Sequence, residues 1–109
     1  MTNLDSISAA NDKELLLLVP SEHACYADHF PGNPLVPGAL LLKWILARLE
    51  REFNCKVSNL KNIKFLAPVK PADTLKIIMI GDRTTAQLSF NIFVLSTQVI
   101  KGSIECSYD

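Results

Sequence analysis

His29-Phe30-Pro31-Gly32-Asn33-Pro34-Leu35-Val36-Pro37-Gly38-Ala39-Leu40-Leu41-Leu42-Lys43 carries the chain from an imidazole through a turn-rich loop into an apolar run. Asn33-Pro34 and Pro37-Gly38 are turn dipeptides, and proline also suits the first turn of a helix, where a missing N–H costs nothing. The pattern predicts a helix from about Gly38 to about Asn54. Its first two turns are apolar almost all round, at Ala39, Leu40, Leu41, Leu42, Trp44, Ile45 and Leu46, whereas Arg48, Glu50, Arg51 and Glu52 crowd the last two. Such a helix is expected to have its beginning wrapped in protein and its end in water.

Outward from this segment the pattern turns to strands. Upstream, Glu14 to Pro20 is a short apolar run stopped by proline and reads as a strand buried on both faces, followed by a second extended stretch from Glu22 to Asp28. Downstream, Ile63 to Ala67, Thr74 to Ile80, Gln87 to Leu95 and Val99 to Tyr108 are β-rich. The last two alternate in part, at Leu88, Phe90, Ile92 and Val94 and then at Ile104, Cys106 and Tyr108. Asp82-Arg83-Thr84 and Ser96-Thr97-Gln98 are the expected hairpin turns. This order specifies an α+β fold in which a curled antiparallel sheet wraps around one long central helix.

At 109 residues the chain is expected to be one domain, residues 13–109, behind a polar N-terminal leader, residues 1–12. Eleven Lys and Arg balance eleven Asp and Glu, so there is no net positive field to gather nucleic acid or anionic lipid. The first residues lack a basic start followed by an apolar core, and no apolar run approaches the length of a membrane span, so a cytoplasmic protein is expected. Cys25, Cys55 and Cys106 are odd in number and irregularly spaced, which argues against a disulfide framework or a zinc site and for small buried thiols.

Chemistry enters through His29 and Gly38. An imidazole shortly before a helix start suits a general base near neutral pH. The first backbone N–H groups of a helix are unpaired donors in a positive end-field, and glycine lets a ligand approach them. Together they suit proton abstraction beside a carbonyl whose oxygen is held by those donors. The alternative is a structural histidine that fixes the turn.

Residues 29–40 match most positions of the segment that enters the central helix of the 3-hydroxyacyl-acyl-carrier-protein dehydratases, and the chain resembles this hot-dog-fold family. Ile63 to Val69 and Pro71 to Leu75 resemble the family's next strand and its following element, with Ala72 where glycine is usual. The resemblance implies dehydration of a 3-hydroxyacyl thioester to the trans-2-enoyl form, with the substrate on the phosphopantetheine of acyl carrier protein or coenzyme A and no further cofactor. It assigns His29 as the base that removes the C2 proton and the Gly38 N–H as the donor to the thioester carbonyl, with Phe30 and Pro37 beside the substrate. It implies a dimer or a multiple of it, or a heterodimer with a related dehydratase, because the helix carboxylate comes from the other subunit. Lys43 stands at that carboxylate position, fourteen residues after His29, and an ammonium donates but does not accept. Lys43 is then the acid in its own right, or a solvated lysine on a stripe with Ala39, Ala47 and Glu50. A hot-dog thioesterase and a non-catalytic acyl-thioester or carrier-protein-binding subunit are the alternative functions. The pair Lys43-Trp44 resembles a branch from specialised acyl and aryl-polyene pathways, although Trp44 also suits plain core packing. His23 reads as structural, Asp28 as a loop-orienting or solvated residue, and Glu50 and Glu52 lie too far along the helix to replace the acid.

Overall fold

The computed structural model describes residues 12–23, 35–82 and 87–107. Among the described residues five strands and one helix follow in the order β1 (Asp12–Leu18), α1 (Gly38–Phe53), β2 (Lys56–Phe65), β3 (Thr74–Asp82), β4 (Gln87–Val94) and β5 (Thr97–Ser107). All strand pairs are antiparallel, and the spatial order is β1-β3-β4-β5-β2, which makes β1 and β2 the two edges of an open sheet.

Period-two alternation decides which sheet face α1 covers. Leu75, Ile77 and Met79 of β3 and Leu88, Phe90 and Ile92 of β4 are buried, as are Ile100, Ile104 and Cys106 of β5. Against them lie Leu41, Ile45 and Leu49, one residue per turn of α1. Val99 and Ile100 are both buried although adjacent, because the register slips between Ile92 and Phe93 and leaves an extra residue on β5. Gly102 lies opposite Phe90, and a Cβ there would stand 2.4 Å from the Ile63 side chain, so glycine lets β2 and β4 side chains meet above β5.

The helix ends one residue before its predicted limit, with Asn54 in the left-handed region (φ 52°) and the Cys55 N–H donating to the Glu50 carbonyl. Five expectations need correction. The beginning of α1 is not wrapped: Ala39, Lys43, Ala47 and Arg51 form an exposed stripe along its whole length, because one sheet covers only one side of a helix. β1 is not buried on both faces; Leu15 is buried, but Leu16 and Leu18 are 58% and 68% exposed on the opposite face of an edge strand. β2 begins seven residues earlier than Ile63, its first half hidden from the sequence pattern by polar residues and two register slips. The β4–β5 turn is Leu95-Ser96, with Leu95 at φ 56° and its side chain out in solvent. Of the stretch from Glu22 to Asp28, Glu22 and His23 are not strand and the rest lies outside the described residues.

Candidate active site

Pro37 is the N-cap of α1 (φ −60°, ψ 141°), one position earlier than a first-turn proline, and offers no side-chain cap. Its carbonyl accepts from the Leu40 and Leu41 N–H groups, each at 3.1 Å. Among the described residues the Gly38 and Ala39 N–H groups have no acceptor, and no acidic side chain lies in the first turn. They are donors at the positive end of a sixteen-residue helix. The Val36 N–H donates to the Val69 carbonyl at 2.9 Å and fixes this end of the helix to the segment after β2.

Beside Gly38 opens an apolar pocket of about 430 Å³ lined by Val36, Gly38, Leu41 and residues 65–69. The Phe65 ring lies 2.9 Å from where a Cβ on residue 38 would go, so glycine lets the ring pack close against the start of α1 as well as leaving the backbone accessible. Sequence reasoning passed over Phe65 and Val36 as pocket residues. A phenylalanine ending a strand just before Ala67-Pro68 is the available signal, but nothing in one chain says which helix residue it covers.

Lys43 is exposed and lines a second, separate groove of about 650 Å³ between α1 and β2, with Leu46, Ala47, Glu50 and residues 57–60. The two hollows share no residue, and five residues of helix put Lys43 about 7.5 Å along the axis from Gly38 and well around it. The structure therefore brings Pro37 and Gly38 together and leaves Lys43 facing outward, among the described residues without an ion pair. His29, Phe30, Asp28 and Cys25 lie outside the described residues.

Neighbouring groups have structural employment. Glu50 accepts the Val57 N–H at 2.8 Å and fastens the start of β2 to the helix. Glu52 bridges Lys13 at 3.1 Å and Arg48 at 3.5 Å, and the hydrogen bond from Lys13 leads the causes that lower its pKa from the ordinary carboxylate value. Trp44 is half-buried against the core, with His23 edge-on at 5.7 Å between ring centroids. Cys55 and Cys106 are buried thiols. Among the described residues no group of three His, Cys, Asp or Glu is placed to hold a metal ion, and no helix is long and apolar enough to cross a membrane.

The family model described as ApeI-like, ApeI dehydratase, matches residues 6–103. The 3-hydroxyacyl-[acyl-carrier-protein] dehydratase FabZ of Geobacter metallireducens is 35% identical over a stretch covering 48% of this chain and 42% of that protein. The chain thus aligns with less than half the length of this curated relative. An uncharacterized protein from Erwinia carotovora subsp. atroseptica superposes with a TM-score of 0.73 at 26% identity, over 89% of this chain and 83% of that one. The dehydratase heterocomplex ApeI:P from Xenorhabdus doucetiae gives 0.71 at 21% identity over 88% and 87%. The (R)-hydratase from A. caviae involved in PHA biosynthesis gives 0.65 at 14% over 90% and 94%. The fold shared with these structures is the hot-dog fold, an antiparallel sheet packed on one helix. With a family model running through the loop, the helix and nearly all of the sheet, the chain belongs to the ApeI-like dehydratase family.

Proposed function

We propose that the protein dehydrates a 3-hydroxyacyl group, carried as a thioester on the phosphopantetheine of an acyl carrier protein or coenzyme A, to the trans-2-enoyl thioester. The observation that carries this reading is the Gly38 N–H, without an acceptor among the described residues, at an apolar pocket of about 430 Å³. The N–H of Gly38 polarises the thioester carbonyl, which acidifies the C2 proton. His29 takes that proton as general base, and the acyl chain lies against Val36, Leu41 and Phe65. The identity to FabZ supports the substrate class.

Lys43 faces away from the pocket of its own chain, so any proton it gives to the departing hydroxyl goes to the site of a second protomer. The open groove between α1 and β2 is where that protomer seats, as a second copy or as a related dehydratase. A second reading, a non-catalytic subunit in a dehydratase heterodimer, is favoured by the lysine at the acid position. Hydration of crotonyl and longer enoyl thioesters by the wild type, Lys43→Ala and Lys43→Glu separates the two. With Lys43 as acid, Lys43→Ala abolishes turnover and Lys43→Glu preserves it. Turnover absent in the wild type and created by Lys43→Glu identifies the subunit instead. Wild-type turnover untouched by Lys43→Ala removes Lys43 from the mechanism.

A further inference from the structure

We propose that the sheet face turned away from α1 carries a phosphomonoester-binding site built on Lys64 and Lys101. The register sets three rows across β4, β5 and β2 on that face: Gln87, Glu105, Asn59; then Ser89, Ser103, Lys61; then Asn91, Lys101, Lys64. The first row is internally satisfied, and it holds Lys61 of the second. Glu105 accepts from Lys61 at 2.8 Å and from Asn59 and Gln87 at 3.2 Å each.

The third row is not. Lys64 and Lys101 are directly opposed across the β2–β5 pair, an arrangement that destabilises a sheet unless something anionic lies between them. Among the described residues neither has an ion pair. Glu105 lies about 13 Å along β5 from Lys101 and is already engaged. The register slip that sets Asn62 and Ile63 against Gly102 opens a groove of about 260 Å³, lined by Asn62, Lys64, Ser89, Asn91, Lys101 and Ser103.

The chemistry of that lining is one-sided. The Asn91 side-chain oxygen already accepts from Gln98 at 2.7 Å, which leaves its amide hydrogens to donate. Ser89 and Ser103 hydroxyls stand 3.5 Å apart, too long for a strong mutual bond, and remain available. Two lysines, two serines and an asparagine amide line this one groove as potential donors. A phosphomonoester, with a charge of about −1.5 to −2 at pH 7 and three acceptor oxygens, balances both lysines where a carboxylate balances one. The site is on the opposite side of the sheet from Gly38 and stands independently of the dehydratase reading.

The phosphomonoester has two possible sources, a soluble metabolite or the headgroup of phosphatidic acid, and the test has an arm for each. Isotope-labelled full-length protein is titrated with glycerol 3-phosphate, with sodium acetate and sodium chloride at matched ionic strength, and followed by amide chemical shifts. It is also sedimented with phosphatidylcholine vesicles with and without phosphatidic acid. Saturating shifts at Lys64, Ser89, Asn91, Lys101 and Ser103, with half-saturation raised about tenfold in Lys64→Gln/Lys101→Gln, support the site. Retention on phosphatidic-acid vesicles, lost in the double variant, identifies the lipid headgroup as the source, and saturation by glycerol 3-phosphate alone identifies a soluble one. Linear shifts, an equal response to acetate, or a double variant that binds like the wild type overturns the proposal. The double variant removes a like-charge pair and is expected to fold, which its own spectrum checks.

Discussion

The two edges of the sheet are both tied down by glutamates, but in different directions. At β1 the tie comes from the helix: Glu52 holds Lys13, and Arg48 on the same helix turn donates to the Leu16 carbonyl at 2.7 Å. A backbone acceptor on the exposed rim of the strand is thereby consumed, and further strand pairing there is blocked. At β2 the helix holds only the start of the strand, through Glu50 and the Val57 N–H, and beyond it the tie comes from within the sheet, where Glu105 of β5 holds Lys61 and Asn59. Nothing from α1 crosses the middle of β2, and the groove beside Lys43 is left open. One edge is finished by its own chain, while the other is left open beside Lys43.

Substitutions are expected to separate chemistry from stability. The largest effect is expected from His29→Ala, which loses about a hundredfold in kcat/KM for enoyl hydration with the melting temperature retained. A large drop in melting temperature with unchanged turnover would show a structural histidine. Next comes Gly102→Ala, whose Cβ meets the Ile63 side chain at 2.4 Å and its Cα at 3.2 Å. Overpacking of about 1–3 kcal/mol is expected by denaturant unfolding, because backbone as well as side chain must yield. An unchanged midpoint would mean that β2 relaxes outward freely.

Arg48→Ala tests the finished edge. It removes the bond to Leu16 and one partner of Glu52, and a loss of about 1 kcal/mol, or several degrees in melting temperature, is expected without change in kcat. Altered kcat with unaltered stability would mean that the β1-side groove takes part in the reaction. Ala72 sits in the turn that bonds back to Val19 and Pro20 at the end of β1, at φ 71°. Ala72→Gly is expected to stabilise by about 1 kcal/mol, since glycine occupies that conformation without steric cost. A destabilised variant would show that Ala72 contributes packing.

The smallest effect is acid dependence. Glu52 and Glu105 both have pKa values lowered from the ordinary 4.5, chiefly by hydrogen bonds from Lys13 and from Lys61. The folded state thus holds their protons less tightly than the unfolded chain. Their contribution is complete above the unfolded value and disappears as pH falls through the lowered folded values. Melting temperature is expected to decline below about pH 4.5, less steeply in Glu52→Gln and Glu105→Gln. Acid profiles identical to wild type would show that these exposed ties contribute nothing.

Much of this was legible in the chain. Proline and glycine punctuation placed α1 to within a residue at both ends, and alternation in β4 identified Leu88, Phe90 and Ile92 as core. The motif around Gly38 carried the family. Ala72 in place of glycine was visible as a departure, and only its backbone angle shows what the departure costs. Position in the sheet was not legible: β1 is as apolar as a central strand yet forms an edge, and β2 is polar, twice slipped in register, and still ten residues long. The reason is physical. Periodicity and turn chemistry act between residues near in sequence, so a single chain states them directly. Strand order, the Phe65 ring over Gly38, Arg48 on the rim of β1 and the outward aim of Lys43 depend on which distant segments meet, and only the tertiary structure decided them.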